Sequence, residues 1–220
     1  MTSGRLRHCG LAAMRGGALA VAVAPVITSA YSLTEDGVGT VPPWEPAFSN
    51  TFSPLFSFAA PDAVYATYGK LYFFVFLGFL FGLIGLRARR GARAGRLERW
   101  GFGLSFVGLL LNLFGNVPDY WIGEDTVFED VGFVAGTALG LLVLTVGSSL
   151  LGVALLRARA GLRLGAWLLA LSLPGILLSG FRFGNIPSGP ALWYGVVWVV
   201  LGYSLWSAER GAVRREAGLR

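Results

Sequence analysis

A single cysteine, a single histidine and a single lysine stand in a chain of 220 residues. One cysteine, Cys9, excludes an internal disulfide and any CxxC redox or zinc pair. One histidine, His8, excludes paired-histidine haem ligation and multi-histidine metal sites within the chain. Lys70 begins an apolar run rather than sitting in the middle of one, which fits an interfacial anchor and not the buried lysine of a retinal Schiff base. Charge is scarce as well: 14% of residues are Asp, Glu, Lys or Arg, against about 25% in a soluble domain. Catalytic grammar is missing too. There is no G-x-S-x-G, no H-E-x-x-H and no phosphate-cradling P-loop, so no residue is assigned a catalytic role and no cofactor is expected.

What the chain has in abundance is apolar length. Hydrophobic residues make up 55% of it, and its mean hydropathy is +0.64. Apolar runs recur at the length needed to cross a bilayer core. The expectation is an all-α, polytopic transmembrane helical bundle, a single membrane domain with spans near 14–33, 70–86, 101–117, 131–156, 163–181 and 190–207. The first run is the weakest, being interrupted by Arg15 and Pro25. It also reads as a cleaved signal peptide ending at the small residues Thr28-Ser29-Ala30, which would leave five spans. Residues 34–66 hold five prolines and four phenylalanines, too broken for a long helix and too apolar for a free linker. They are expected as a loop lying on the outer surface or capping the bundle. Residues 208–220 form a basic tail.

Net charge is +6, yet the basic residues cluster in short stretches at the ends of apolar runs, with no basic stripe interleaved with aromatics. Nucleic acid is therefore excluded as a partner, and the lipid bilayer takes its place. The N-terminal tail, the loops 87–99 and 157–163 and the C-terminal tail together carry sixteen arginines and three acids. The opposite side carries nine acids against Lys70 and Arg182. By the positive-inside rule both termini face the cytoplasm and the acidic loops face out, across a plasma membrane.

Short repeats organise the runs. GLIGLRAR (82–89) resembles GVALLRAR (152–159), and FGNVP (114–118) recurs as FGNIP (183–187), at nearly one offset. Tandem helical hairpins in parallel orientation are expected. Gly132, Gly136 and Gly140 recur every fourth residue, the spacing that lets helix backbones approach in lipid. Packing within the bundle is the favoured use of that stripe, and a seam to a partner protein or a second copy is the other.

Polar residues in the acid-rich stretch 113–133 supply the site candidates. Gly115 and Pro118 read as a helix stop, and Thr126 with Glu129 as the capping box of the next helix. Asn112, Asn116 and Asp119 remain unexplained by such grammar. With Asn185 from the repeat and Arg182, the one arginine on that side, they are expected to line an outward polar pocket, Arg182 pairing with Asp119. Glu124, Asp125, Glu129 and Asp130 are weaker candidates for a hard cation, since their spacing follows no dedicated calcium loop. No metal site is assigned. Pro174-Gly175 should kink the fifth run. No ionisable residue lies in the middle of the second to sixth runs, which weighs against an ion-coupled carrier. Three function classes follow: first a non-enzymatic accessory or sensor-like binding protein, then a channel or facilitator favoured by any polar path through Thr137, Thr145, Ser148 or Ser172, then a lipid-active enzyme using outer carboxylates.

Overall fold

A computed structural model describes residues 3–37, 42–122, 130–183 and 186–216. All regular structure among the described residues is helical. The elements are α1 (Ser3–Tyr31), α2 (Glu45–Phe52), α3 (Pro61–Gly69), α4 (Leu71–Arg90), α5 (Arg96–Val117), α6 (Leu139–Arg157), α7 (Arg163–Ala170), α8 (Ser172–Phe183) and α9 (Ser188–Glu216). Two wider π turns, Pro118–Ile122 and Gly132–Ala138, extend α5 and precede α6.

Among the described residues, four helical stretches are long and apolar enough to cross a membrane: Gly4–Tyr31, Pro61–Arg93, Arg96–Ile122 and Gly132–Arg157. The pair Arg163–Ala170 and Ser172–Arg182, bent by 65°, makes a fifth if counted as one broken span. α9 is longer than a span needs, yet it is not among them. Trp193, Tyr194, Trp198, Tyr203 and Trp206 dilute its hydropathy, while Tyr194 and Trp198 are buried in the bundle's core. Length and apolarity thus support four or five of the six expected spans among the described residues.

The long helices close a ring. α1 packs most extensively on α9 and next on α4; α5 packs on α6 and touches α4; α7 and α8 bridge α6 to α9. Aromatic side chains fill the middle. Phe79 stacks on Trp198 with centroids 6.0 Å apart and touches Tyr194 at 6.4 Å, and Phe76 lies against Phe79 at 6.1 Å. The outward faces are apolar: Phe74, Phe81, Phe114, Leu142, Leu177 and Phe181 are all exposed. An exposed apolar belt of this extent is unusual for a water-soluble protein and fits helices long and apolar enough to cross a membrane.

Glycine sets the distances between helices. A Cβ on Gly10 would lie 2.8 Å from the carbonyl oxygen of Gly202, and one on Gly17 2.5 Å from that of Gly195. These pairs, seven residues apart on each strand of the contact, bind α1 to α9 in antiparallel register. On α5 a second heptad series, Gly101, Gly108 and Gly115, faces backbone of α6 and its preceding π turn, and an added Cβ would lie 2.5 Å from it in each case. Gly136 lies against Gly115, Gly140 against Asn112 and Gly132 against Pro118. The expected glycine stripe is therefore spent on packing within the chain.

One local expectation fails. Gly115 does not take a left-handed turn, and Pro118 does not stop the helix. Positive φ occurs among the described residues only at Gly91, Gly161 and Arg159, and Pro118 sits in helical conformation at φ −64°, ψ −35°. Proline's fixed φ suits a helix even where its missing N–H costs a hydrogen bond. The chain runs on through Pro118 into the π turn, and Gly115 is small because Gly136 touches it. The Thr126–Glu129 capping box lies outside the described residues. Pro174 breaks its helix three residues upstream, at Leu171, where the proline ring crowds the carbonyl of Ala170. It then falls in the first turn of α8, where a missing N–H costs little.

Candidate functional site

At the acid-rich end, three of the polar residues that the sequence singles out, Asn112, Asn116 and Asp119, are buried or half-buried. Asn112 is fully buried on α5; its Nδ2 donates to the carbonyl of Gly108, one turn back on its own helix, at 2.8 Å. Its Oδ1 is buried without a hydrogen-bond partner. Asn116, one turn further on, donates from Nδ2 to the carbonyl of Gly69 at 3.1 Å and accepts from Trp121 Nε1 at 3.3 Å. Asn116 thus joins the end of α3 to the end of α5. Asp119, half-buried, accepts from Thr137 Oγ1 at 3.4 Å and so ties the two π turns together.

Arg182 stands apart. Its side chain is exposed, and its carbonyl accepts a hydrogen bond from Trp44 Nε1 at 3.2 Å. Among contacts between described residues, Arg182 and Asp119 do not pair. Asn185, Glu124, Asp125 and Glu129 lie outside the described residues, while Asp130 is exposed at the start of the stretch that leads into α6. No group of three or more His, Cys, Asp or Glu side chains able to hold a metal occurs among the described residues.

Over this end lies the segment between α1 and α4. Its turn and two short helices fold onto the end of α1, burying Phe56 and Val64 against Ala30. Glu45 is the clamp. It is 5% exposed and accepts from Ser32 Oγ at 3.0 Å and from Ser49 Oγ, joining the exit of α1 to the start of α2. A tyrosine chain continues the seam. Tyr65 meets Tyr31 at 5.3 Å between centroids and Tyr120 at 5.5 Å, and the hydroxyls of Tyr65 and Tyr120 lie 3.0 Å apart. Gly69 packs directly on the Tyr120 ring, where an added Cβ would come within 2.0 Å. The face this cap turns away from the bundle exposes Phe52, Leu55 and Phe58.

A second polar group sits in the core, at the helix break. Tyr194 is fully buried and donates to Thr145 Oγ1 at 3.4 Å, while Thr145 donates to the carbonyl of Leu141 at 2.6 Å. Ser148 and Ser172 surround the same tyrosine hydroxyl, and Ser172 Oγ has no close partner of its own. Three helices, α6, α8 and α9, therefore bring four hydroxyls to one buried point. Nearer the acid-rich end, Tyr72 donates to Ser188 Oγ at 2.9 Å between α4 and α9.

At the arginine-rich end the residue that sequence reasoning missed is Glu98. It is 4% exposed and holds Arg90 in a two-pronged fork, at 2.8 Å and 3.1 Å. A lone acid amid the arginines of 87–99 was the available signal. The Tyr65–Tyr120 seam had no such signal, because it joins residues 55 apart in the chain.

Compared with family models, with curated proteins and with solved structures, the chain matches none.

Proposed function

We propose that this chain is a non-enzymatic integral protein of the plasma membrane, an accessory or sensor-like binding protein. In this reading it has six spans, both termini lie in the cytoplasm, and α1 is retained. One observation carries the function: polar side chains at the acid-rich end are spent on holding a cap. Asn116, Glu45, Tyr65, Tyr120 and Trp44 each bond or pack between the 42–69 segment and the helix ends beneath it. Groups used this way fix a surface in place and do not line a path. That surface displays Phe52, Leu55 and Phe58, and it is the face offered to a partner outside. Retention of α1 is supported by Gly195, Gly202 and Gly78, whose backbones are shaped to receive it. The sixth span is supported by the same pairing, since α9 lies antiparallel along α1.

A second reading, a facilitator for a small uncharged solute, is favoured by one observation, the three hydroxyls gathered around that of Tyr194 at the broken helix. Discontinuous helices expose backbone polar groups at such points and line solute sites in transporters. The two readings separate in proteoliposomes. Stopped-flow swelling with glycerol, urea and water should match that of protein-free vesicles if the first reading holds. Faster swelling that Tyr194→Phe and Ser172→Ala both abolish would replace it with the second.

A further inference from the structure

We infer that the turn between α6 and α7 is a binding site for one anionic phospholipid, its phosphodiester held between Arg159 and Arg163. The turn frames a groove of about 520 Å³ at the arginine-rich end. Leu155, Leu156 and Ala166 form its apolar wall, Trp167 flanks it, and the two arginines stand at its mouth. Both guanidinium groups and the Trp167 ring are exposed. Neither arginine has an acidic partner among the described residues. By contrast Arg90, on the same end of the bundle, is neutralised by Glu98. Charge complementarity therefore selects an anion, and the apolar wall selects one that carries acyl chains. Trp167 sits where an aromatic ring suits the headgroup level.

The backbone gives an independent reason. Arg159 has φ 46°, the left-handed region that glycine ordinarily fills at a helix C-terminus, and Gly161 two residues on also has positive φ. Arg159 N–H bonds the carbonyl of Leu156 and Ala160 N–H that of Leu155, so this is a regular helix termination with an irregular choice of residue. A side chain kept at a position that disfavours it, beside a second arginine with no acidic partner among the described residues and over an apolar groove, is what a headgroup site requires. The inference rests on the bundle lying in a bilayer, but not on its orientation or on what the acid-rich end does.

The test uses purified full-length protein in neutral detergent micelles. Phosphatidylglycerol, phosphatidylcholine, and inorganic phosphate at matched concentration are the probes, read by native mass spectrometry and melting temperature. Wild type should retain one phosphatidylglycerol and gain melting temperature from it, with little response to the other two. Arg159→Gly should weaken that retention by roughly five-fold or more, the loss of one arginine at an anionic headgroup. The same variant should melt higher than wild type when no lipid is added, because glycine relieves the backbone. Arg163→Gln should lose lipid similarly, and Arg96→Gln/Arg99→Gln, exposed at the same end, should not. Equal losses in the Arg96/Arg99 variant, an equal response to phosphatidylcholine, or full stabilisation by inorganic phosphate would each overturn the proposal.

Discussion

Two asparagines one helical turn apart do different work, and the difference is measurable. Asn116 bonds across elements, to Gly69 and Trp121, while the Asn112 amide bonds within its own turn and leaves its oxygen unpaired. Removing Asn116 frees two partners at once, so Asn116→Ala should cost about 1 kcal/mol. Asn112→Ala removes an already unsatisfied oxygen and should cost clearly less. Thermal unfolding in one detergent decides it, and equal costs would mean that Asn112 has a partner not yet identified. The fork between Arg90 and Glu98 gives a second contrast. Its side chains are only 13% and 5% exposed. Arg90→Gln leaves a carboxylate buried without its cation and should cost about 3–5 kcal/mol. Arg90→Gln/Glu98→Gln removes both charges and should recover part of that loss, giving a coupling readable in a double-mutant cycle.

At the scale of elements, glycine spacing decides which helices touch, and α5 carries its own control. A Cβ added at Gly108 would lie 2.5 Å from the backbone nitrogen of Leu144, whereas nothing lies within 4 Å of one at Gly103. Gly108→Leu should therefore force α5 from α6 and cost at least the ~1–3 kcal/mol of an overpacked core. Gly103→Leu should leave the melting temperature near wild type; a matching loss there would undo the assigned register. Much of this layer was legible in the sequence. Apolar length marked the helices, the Gly132/Gly136/Gly140 stripe marked a packing face, and Pro174 marked the break. The heptad glycines of α1 and α5 were just as visible, but they hide in a chain with 32 glycines until a partner helix is known. The Gly115/Pro118 stop was misread because those two residues terminate a helix only if the backbone turns left-handed. Whether it turns depends on Gly136, which lies on another element. The cap over the acid-rich end was legible only as an apolar, proline-broken segment. Its fastening by Glu45, Tyr65 and Asn116 depends on contacts across long stretches of chain, which no local pattern encodes.

For the molecule as a whole, ring closure joins the two ends of the chain, and this links topology to stability. α1 and α9 form the most extensive contact in the bundle, so the ring closes only once both helices are in place. Antiparallel pairing of α1 with both α4 and α9 requires Arg5, Arg7, Arg87, Arg89 and Arg90 to share one end, together with the exit of α9. The segment carrying Glu45 and Asp62 must then occupy the other end. Packing geometry thus gathers these arginines at one end and Glu45 and Asp62 at the other, the segregation that the positive-inside rule reads as orientation. Scarcity of cysteine makes this testable, since Cys9→Ala gives a thiol-free background whose alanine still fits against Gly85. In that background Thr51→Cys, exposed on α2, should react in intact cells with a membrane-impermeant maleimide. Gly95→Cys, exposed in the turn before α5 with open space around it, should react only after the membrane is permeabilised. Labelling of both from one side would mean that α4, which lies between the two sites, does not cross the membrane, and the reverse pattern would place the arginine-rich end outside.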